Sequence, residues 1–233
     1  MKSVKQWYSM KAAEKTAEIY IYDEIGAGFF GGVSAKQFVD DLNKIGKVDT
    51  INLYLNSPGG DVFDGVAIYN ALKRNKAQID VHIDGLAASI TSVIAMVGNS
   101  ITIAENGMIM IHDPWTFAIG NSVEMRKQAD VLDQVGGTLV NTYTARTGID
   151  AEEVKALMGA ETWLDADQAV AKGFADKKSP SVKMAAHFDL SRFRNVPRDV
   201  AAAPSKPDAP TFKSRISEQE KWLAENRAKY ARK

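Results

Sequence analysis

The stretch Ile51-Asn-Leu-Tyr-Leu-Asn56 alternates apolar and polar residues, and Ser57-Pro-Gly-Gly60 cuts it off before a helix-period face begins. Period 2 giving way to period 3.6 across a Gly-rich turn marks a strand feeding a helix. Asp61 offers that helix an N-cap, and Val62, Val66, Tyr69 and Leu72 share one face. The same succession recurs on both sides. Ile19–Ile25 reads as a strand, runs into a turn of Gly26, Gly28, Gly31 and Gly32, and yields at Ser34 to a helix carrying Phe38, Leu42 and Ile45. Ile79–Ile83 is a further strand, followed by Gly85-Leu-Ala-Ala-Ser-Ile-Thr-Ser92, small residues leading into an apolar helix that ends at Gly98. Ile101–Ile103 and Met108–Ile111 read as short strands, the second broken by His112-Asp-Pro114. Strands alternating with helices predict an α/β fold with mostly parallel pairing.

Asn121-Ser-Val-Glu124 has the form of a capping box and opens a long helix to about Thr147, with Leu132, Val135, Leu139 and Tyr143 on one face. Gly136 and Gly137 lie inside it. Each costs ~1 kcal/mol against alanine in a helix interior, which predicts a bend or a partner there. Asp150 caps a short helix, and Asp165–Lys172 forms another, closed by Gly173. Composition then breaks. Residues 179–233 hold twelve Lys/Arg against six Asp/Glu, five of the seven prolines and no glycine, in a chain of 233 residues whose formal net charge is zero. The expected organisation is an N-terminal segment 1–17, an α/β domain 18–178, and a basic, Pro-containing tail 179–233. The tail is extended over 179–214, with an amphipathic helix over 215–233 through Ile216, Trp222, Leu223 and Tyr230.

The absence of cysteine excludes a disulfide scaffold, a cysteine-ligated metal and a cysteine nucleophile. Three histidines, His82, His112 and His187, leave little for a histidine-built metal site, so no metal and no cofactor are expected. Zero net charge argues against nucleic-acid binding by the whole chain, leaving only the basic tail for that. No apolar run approaches the ~20 residues that span a bilayer, and Met1–Thr16 is polar without a signal-peptide core, so no membrane association and a cytoplasmic location are expected.

Ser89 follows a strand and opens a helix, where backbone N–H groups and the positive helix end surround its hydroxyl. It is either a helix cap or a nucleophile; Gly-x-Ser-x-Gly is not present around it. His112 ends an apolar strand and is either structural or a base, a role suited to a side chain that titrates near pH ~6.5. A serine nucleophile needs such a base. Ser57-Pro-Gly-Gly60 is either a turn or a place where backbone N–H groups meet an oxyanion and a peptide edge. His82 reads as strand packing and His187 as a tail residue, while Trp115 and Phe117 line a pocket or pack.

Four segments, in order, resemble one family: Asn56-Ser-Pro-Gly-Gly60, Gly85-Leu-Ala-Ala-Ser89, Met110-Ile-His-Asp-Pro114, and Glu161-Thr-Trp-Leu164 with the run to Gly173-Phe-Ala-Asp176. They look like ClpP, the caseinolytic serine peptidase. Asp84-Gly-Leu-Ala-Ala-Ser89, Met110-Ile-His-Asp-Pro-Trp115 and Met158-Gly-Ala-Glu-Thr-Trp-Leu164 are similar to its phage branch, the ClpP-related head maturation (prohead) proteases. The resemblance covers roughly residues 18–178 and implies a ClpP/crotonase-type spiral of β-β-α units, with the helix 121–147 as the handle by which rings pack. It implies Ser89 as nucleophile, His112 as general base, the N–H groups of Gly60 and Ile90 as the oxyanion hole, and peptide binding along residues 60–63 and 113–117, with Gly59 just before the first and Asp61, Val62, Pro114 and Trp115 within them as the substrate-binding residues. The family's triad aspartate is replaced by Glu161, one methylene longer with the same negative acceptor. Asp165 and Asp167 compete for that role but read as helix-cap residues; Asp113 adjoins His112 and points to the other face.

The implied protein is a homo-oligomeric ring of serine endopeptidase subunits acting on polypeptide. In the phage reading its substrates are scaffold and capsid proteins, in the host cytoplasm or an immature head. The alternatives are a protease fed by an ATPase, a crotonase-like acyl-CoA enzyme, and a non-catalytic capsid assembly protein.

Overall fold

The computed structural model of the chain describes residues 6–26, 33–181 and 188–201. The chain divides into two compact units, Met1–Met184 and Ala185–Lys233. In the first unit the elements run β1 (Tyr8–Ala13), β2 (Thr16–Ile21), α1 (Ala35–Ile45), β3 (Thr50–Ser57), α2 (Val62–Arg74), β4 (Gln78–Ala88), α3 (Ile90–Ala95), β5 (Ser100–Ala104), β6 (Met108–Ile111), α4 (Ser122–Thr147), α5 (Ala151–Gly159), β7 (Thr162–Asp165), α6 (Ala166–Ala171) and β8 (Lys177–Ser179). The sheet is ordered β1-β2-β3-β4-β5-β8, with β6 paired to β4 and β7 to β6. Pairing is parallel except for the antiparallel β1–β2 and β6–β7 pairs.

Strand alternation builds the core. Ile19, Ile21, Ile51, Leu53, Leu55, Val81, Ile83, Ile101 and Ile103 are all buried beneath Phe38 and Leu42 of α1 and Ile68 and Leu72 of α2. On the opposite face Tyr20, Tyr54 and His82 stand side by side in register. Tyr54 stacks on Tyr20 at 4.6 Å and on His82 at 4.8 Å between ring centroids, so His82 is a packing residue of the sheet.

β4 is the element that organises the site. Its first half pairs with β5, Asp80–Ile83 against Ser100–Ile103, and its second half pairs with β6, Leu86–Ala88 against Met108–Met110. The sheet therefore forks at Asp84 and Gly85, and the branch carrying Leu86–Ala88 leaves the main sheet beside β6 and β7. The small residues 85–88, read from sequence as the approach to a helix, are the end of this strand; hydrogen bonds to β6 hold a conformation that glycine and alanine do not favour by themselves.

Several expectations change. Residues 8–13, within the segment set aside as 1–17, form β1, whose burial is confined to Tyr8 and, partly, Met10. An edge strand with one buried end shows little alternation to read. β2 ends at Ile21 rather than Ile25, with Ile25 making an isolated bridge to Gly60. Ser34 occupies the N-cap position of α1 without a side-chain cap hydrogen bond. α4 runs through Gly136 and Gly137 unbroken; a Cβ at Gly136 would lie 3.6 Å from Pro114, an ordinary contact, and one at Gly137 would meet nothing within 4 Å. Ser179, placed in the extended tail, closes β8, and in the second unit Arg198–Ala201 forms a short helix, α7. The expected helix over 215–233, the prolines at 204, 207 and 210, the glycines at 28, 31 and 32, and His187 lie outside the described residues. No helix among the described residues is long and apolar enough to cross a membrane.

Candidate active site

The fork in the sheet brings two chain ends together. The N–H of Ser89, directly after β4, donates to the carbonyl of Met110 at 2.9 Å, and His112 follows Met110 by two residues on the same branch. Ser89 Oγ lies 2.8 Å from His112 Nε2. Ser89 occupies the N-cap position of α3 but its side chain makes no capping bond. The capping alternative is therefore not what the hydroxyl does: it faces the imidazole instead. Ser89 also has φ +56 and ψ −131, a left-handed conformation costly for a residue with a Cβ. A strained serine between strand and helix presents its hydroxyl outward from the turn, the logic of a nucleophile elbow without its usual glycine pattern.

The turn after β3 lies directly against this serine. Gly59, at φ +95, is so close that a Cβ there would stand 2.6 Å from the Cβ of Ser89. A Cβ on Gly60, at φ +150, would fall 2.0 Å from the carbonyl oxygen of Ile25. Only glycine fits either place. Ile25 donates its N–H to Gly59 O (2.8 Å) and accepts from the N–H of Asp61 (3.0 Å), so the N–H of Gly60 faces away from that bridge. Ile90 is the first residue of α3 and is buried; its N–H has no intrahelical acceptor. The candidate hydroxyl, ring nitrogen and backbone donors thus come from three separate strand ends.

Sequence reasoning missed the polar residues that brace the turn. Ser57, fully buried, donates its hydroxyl to Asp23 O at 2.7 Å and accepts from Gly59 N–H (3.2 Å) and from Thr91 Oγ1 of α3 (2.9 Å). Asn56 accepts the N–H of Leu86 at 3.0 Å, tying β3 to the branch of β4. The one local sign was the break in alternation: Asn56 and Ser57 are consecutive polar residues, both buried, at the end of a regularly alternating strand.

Glu161 lies at the mouth of the β6–β7 ladder. The register runs Met108↔Asp165, Ile109↔Leu164, Met110↔Trp163 and ends at Ile111↔Thr162, so His112 and Glu161 each lie one residue beyond the end of the ladder. Glu161 is buried at 4% exposure, with φ +51, and Trp163 Nε1 stands 3.5 Å from its Oε1. The competing carboxylates are employed elsewhere. Asp165 accepts the N–H of Gln168 as the N-cap of α6, and Asp167 pairs with Lys178 at 2.5 Å. Asp113 is exposed.

Of the residues expected to meet substrate, Asp61 spends its carboxylate capping α2, where it accepts from Asp64 N–H at 2.9 Å. Val62 packs partly against the core. Pro114 is partly buried; Trp115, 44% exposed, lies edge-on to Phe117 at 5.7 Å, so these two rings pack on each other in the open.

The forked α/β sheet thus sets a serine of strained backbone 2.8 Å from an imidazole nitrogen, with two glycines of positive φ beside it. The profile of the Clp protease family, "Clp protease", matches residues 2–179. The chain belongs to that family, a family of serine peptidases. It is 29% identical over 138 residues to "ATP-dependent Clp protease proteolytic subunit 1" of Salinibacter ruber, covering 58% of this chain and 59% of the relative. To "ATP-dependent Clp protease proteolytic subunit" of Deinococcus radiodurans it is 30% identical over 129 residues, covering 54% and 63%. The subunit 1 of Protochlamydia amoebophila is 27% identical over 163 residues, covering 68% and 78%. The chain spans about six tenths of the length of the first two.

Proposed function

We propose that this chain is a serine endopeptidase of the ClpP type. Ser89 is its nucleophile, His112 its general base, Glu161 the acid that orients the imidazole, and the N–H groups of Gly60 and Ile90 its oxyanion hole. The observation that carries the reading is the 2.8 Å approach of Ser89 Oγ to His112 Nε2. Nε2 accepts the hydroxyl proton as Oγ attacks the scissile carbonyl. The carbonyl oxygen takes the electron pair and is held by the two N–H groups, each worth ~3 kcal/mol of barrier. The imidazolium then gives the proton to the leaving amine, and water repeats the sequence on the acyl-serine. In this role Glu161 accepts from His112 Nδ1–H, which favours the tautomer that leaves Nε2 free to accept. No metal or cofactor takes part. A crotonase-like acyl-CoA enzyme uses backbone N–H groups in the same way but has no need of the serine–histidine pair. Hydrolysis of a fluorogenic peptide, lost in both Ser89→Ala and His112→Ala, is the expected result. Hydrolysis surviving in both sinks the assignment, and none in the parent favours a non-catalytic assembly role.

We propose further that the substrates are scaffold and capsid proteins of an immature phage head, which the resemblance of residues 84–89, 110–115 and 158–164 to the head maturation branch supports. The names of the relatives, all ATP-dependent, support a second reading, in which an ATPase feeds unfolded chains to a ring of these subunits in the cytoplasm. Purified scaffold protein cut without nucleotide favours the first. Protein cleavage that demands both ATP and an added ATPase favours the second.

A further inference from the structure

α4 carries one residue that reaches the nucleophile's own peptide. Tyr143 is buried at 1% exposure, its ring 5.7 Å from that of Phe174. Its hydroxyl lies 2.7 Å from Ser92 Oγ, across 51 residues of sequence. Ser92, in the first turn of α3, gives both its O–H (2.5 Å) and its N–H (3.0 Å) to the carbonyl of Ser89. A serine hydroxyl has one proton. With that proton committed to Ser89 O, Ser92 Oγ is the acceptor toward Tyr143, so the phenol donates. The chain of donation runs Tyr143 to Ser92 to the Ser89 carbonyl.

The Ser89 carbonyl shares a planar trans peptide with the N–H of Ile90, and the two point in opposite directions. Whatever fixes the carbonyl fixes the N–H. Hydrogen bonds in series also polarise one another, so a doubly bonded carbonyl makes the N–H across its peptide a stronger donor. We propose that Tyr143 is a positioning residue for the oxyanion site: through Ser92 its hydroxyl orients and polarises the peptide whose N–H, on Ile90, receives the oxyanion. This rests on the reading of Ser89 and Ile90 given above. A serine hydroxyl bonding back to the carbonyl three residues earlier is ordinary local helix chemistry. The buried phenol behind it is not, and it makes Ser92 a link rather than an end. Burial also pushes the Tyr143 phenol well above the usual tyrosine range, so the donor stays protonated across working pH.

Tyr143→Phe keeps the buried ring and removes the hydroxyl alone. Turnover of a fluorogenic peptide is measured per Ser89 titrated with a fluorophosphonate. It is expected to fall about tenfold at unchanged KM, less than outright loss of an oxyanion donor. Affinity for a peptide boronate, whose adduct places an oxygen in the same site, falls by the same factor. Ser92→Ala gives a similar loss, and the double variant loses no more than Ser92→Ala. Turnover per titrated site within twofold of the parent in Tyr143→Phe overturns the proposal, as does a change confined to KM, or losses that multiply in the double variant. If Ser89→Ala still turns over, the underlying reading falls and the proposal with it. If Ser89→Ala is inactive while Tyr143→Phe is unimpaired, only the relay falls.

Discussion

Ser89 is held in an unfavourable backbone conformation from three sides: Met110 accepts its N–H, Ser92 occupies its carbonyl, and Gly59 closes on its Cβ. Strain of this kind costs ~1–3 kcal/mol and persists only where the surroundings enforce it. Gly59→Ala puts a methyl 2.6 Å from the Ser89 Cβ and 2.9 Å from the Ala88 carbonyl, at a φ that alanine resists. The expected outcome is a melting temperature lowered by the equivalent of ~1–3 kcal/mol and peptidase activity lost beyond what unfolding explains. Thermal unfolding and turnover at a temperature where the variant is folded check both. Glu161→Gln keeps the size of the side chain and removes its charge, and a wrong imidazole tautomer costs up to ~10⁴ in rate. Glu161→Asp keeps the charge and should cost less. A Gln variant within a few-fold of the parent, beside an inactive Asp165→Asn or Asp167→Asn, moves the acid to that residue. The residues alone left Ser89, His112 and the glycine turn each open to a structural reading, and their proposed roles came from the resemblance, because the 2.8 Å approach of Ser89 to His112 is made across 23 residues and leaves no local pattern. The bonds of Thr91 and Tyr143 run across 34 and 51 residues and leave no local trace either.

At the scale of elements, the capping signals were the most legible part of the chain. Asp61, Asn121, Asp150 and Asp165 each accept first-turn N–H groups, and Asn121 and Asp165 complete reciprocal boxes with Glu124 and Gln168. Capping is local, so sequence carries it. β7 and β8 were missed because short strands at the margins take their conformation from partners distant in sequence, as Lys177–Ser179 does from Thr102–Ala104, whereas β1 pairs with the adjacent β2 and shows too little alternation to read. β1 is also fastened from above. Tyr8 donates its hydroxyl to Asp41 of α1 at 2.7 Å, and Lys44 and Gln37 bond the same carboxylate. Lys44 first, then Tyr8 and Gln37, hold the Asp41 carboxyl down from 3.8 to about 2. A carboxyl held below its unfolded value stabilises above that value, and this contribution disappears as pH falls through the folded one. Between pH 3.8 and about 2, the parent should therefore lose melting temperature more steeply than Asp41→Asn. Parallel slopes in the two proteins would show that the fastening contributes nothing. Arg146 and Ile101 N–H likewise hold Asp176 below its ordinary range, against burial that would raise it, and so clamp the end of α4 to β5.

At the scale of the whole molecule, every candidate site residue lies in the first compact unit, and the family match ends at residue 179. A chain truncated after Met184 keeps β8 and the bond from Glu105 N–H to Ser179 O. It should cleave small peptides at the parent's rate; a folded, inactive truncation would give the tail a part in catalysis. α4 buries only Leu139, Val140 and Tyr143 along its 26 residues and leaves Val123 and Val131 exposed. Such a face predicts association with further copies, and light scattering that finds only a monomer over a wide concentration range would count against a ring. The central claim is that Ser89 is a nucleophile activated by His112, and a fluorophosphonate reports on it directly. After brief exposure of the full chain, mass spectrometry should find one adduct, on Ser89, absent from Ser89→Ala and formed far more slowly in His112→Ala. A folded protein that cleaves peptides while Ser89 stays unlabelled, or that labels equally fast without His112, would contradict the account.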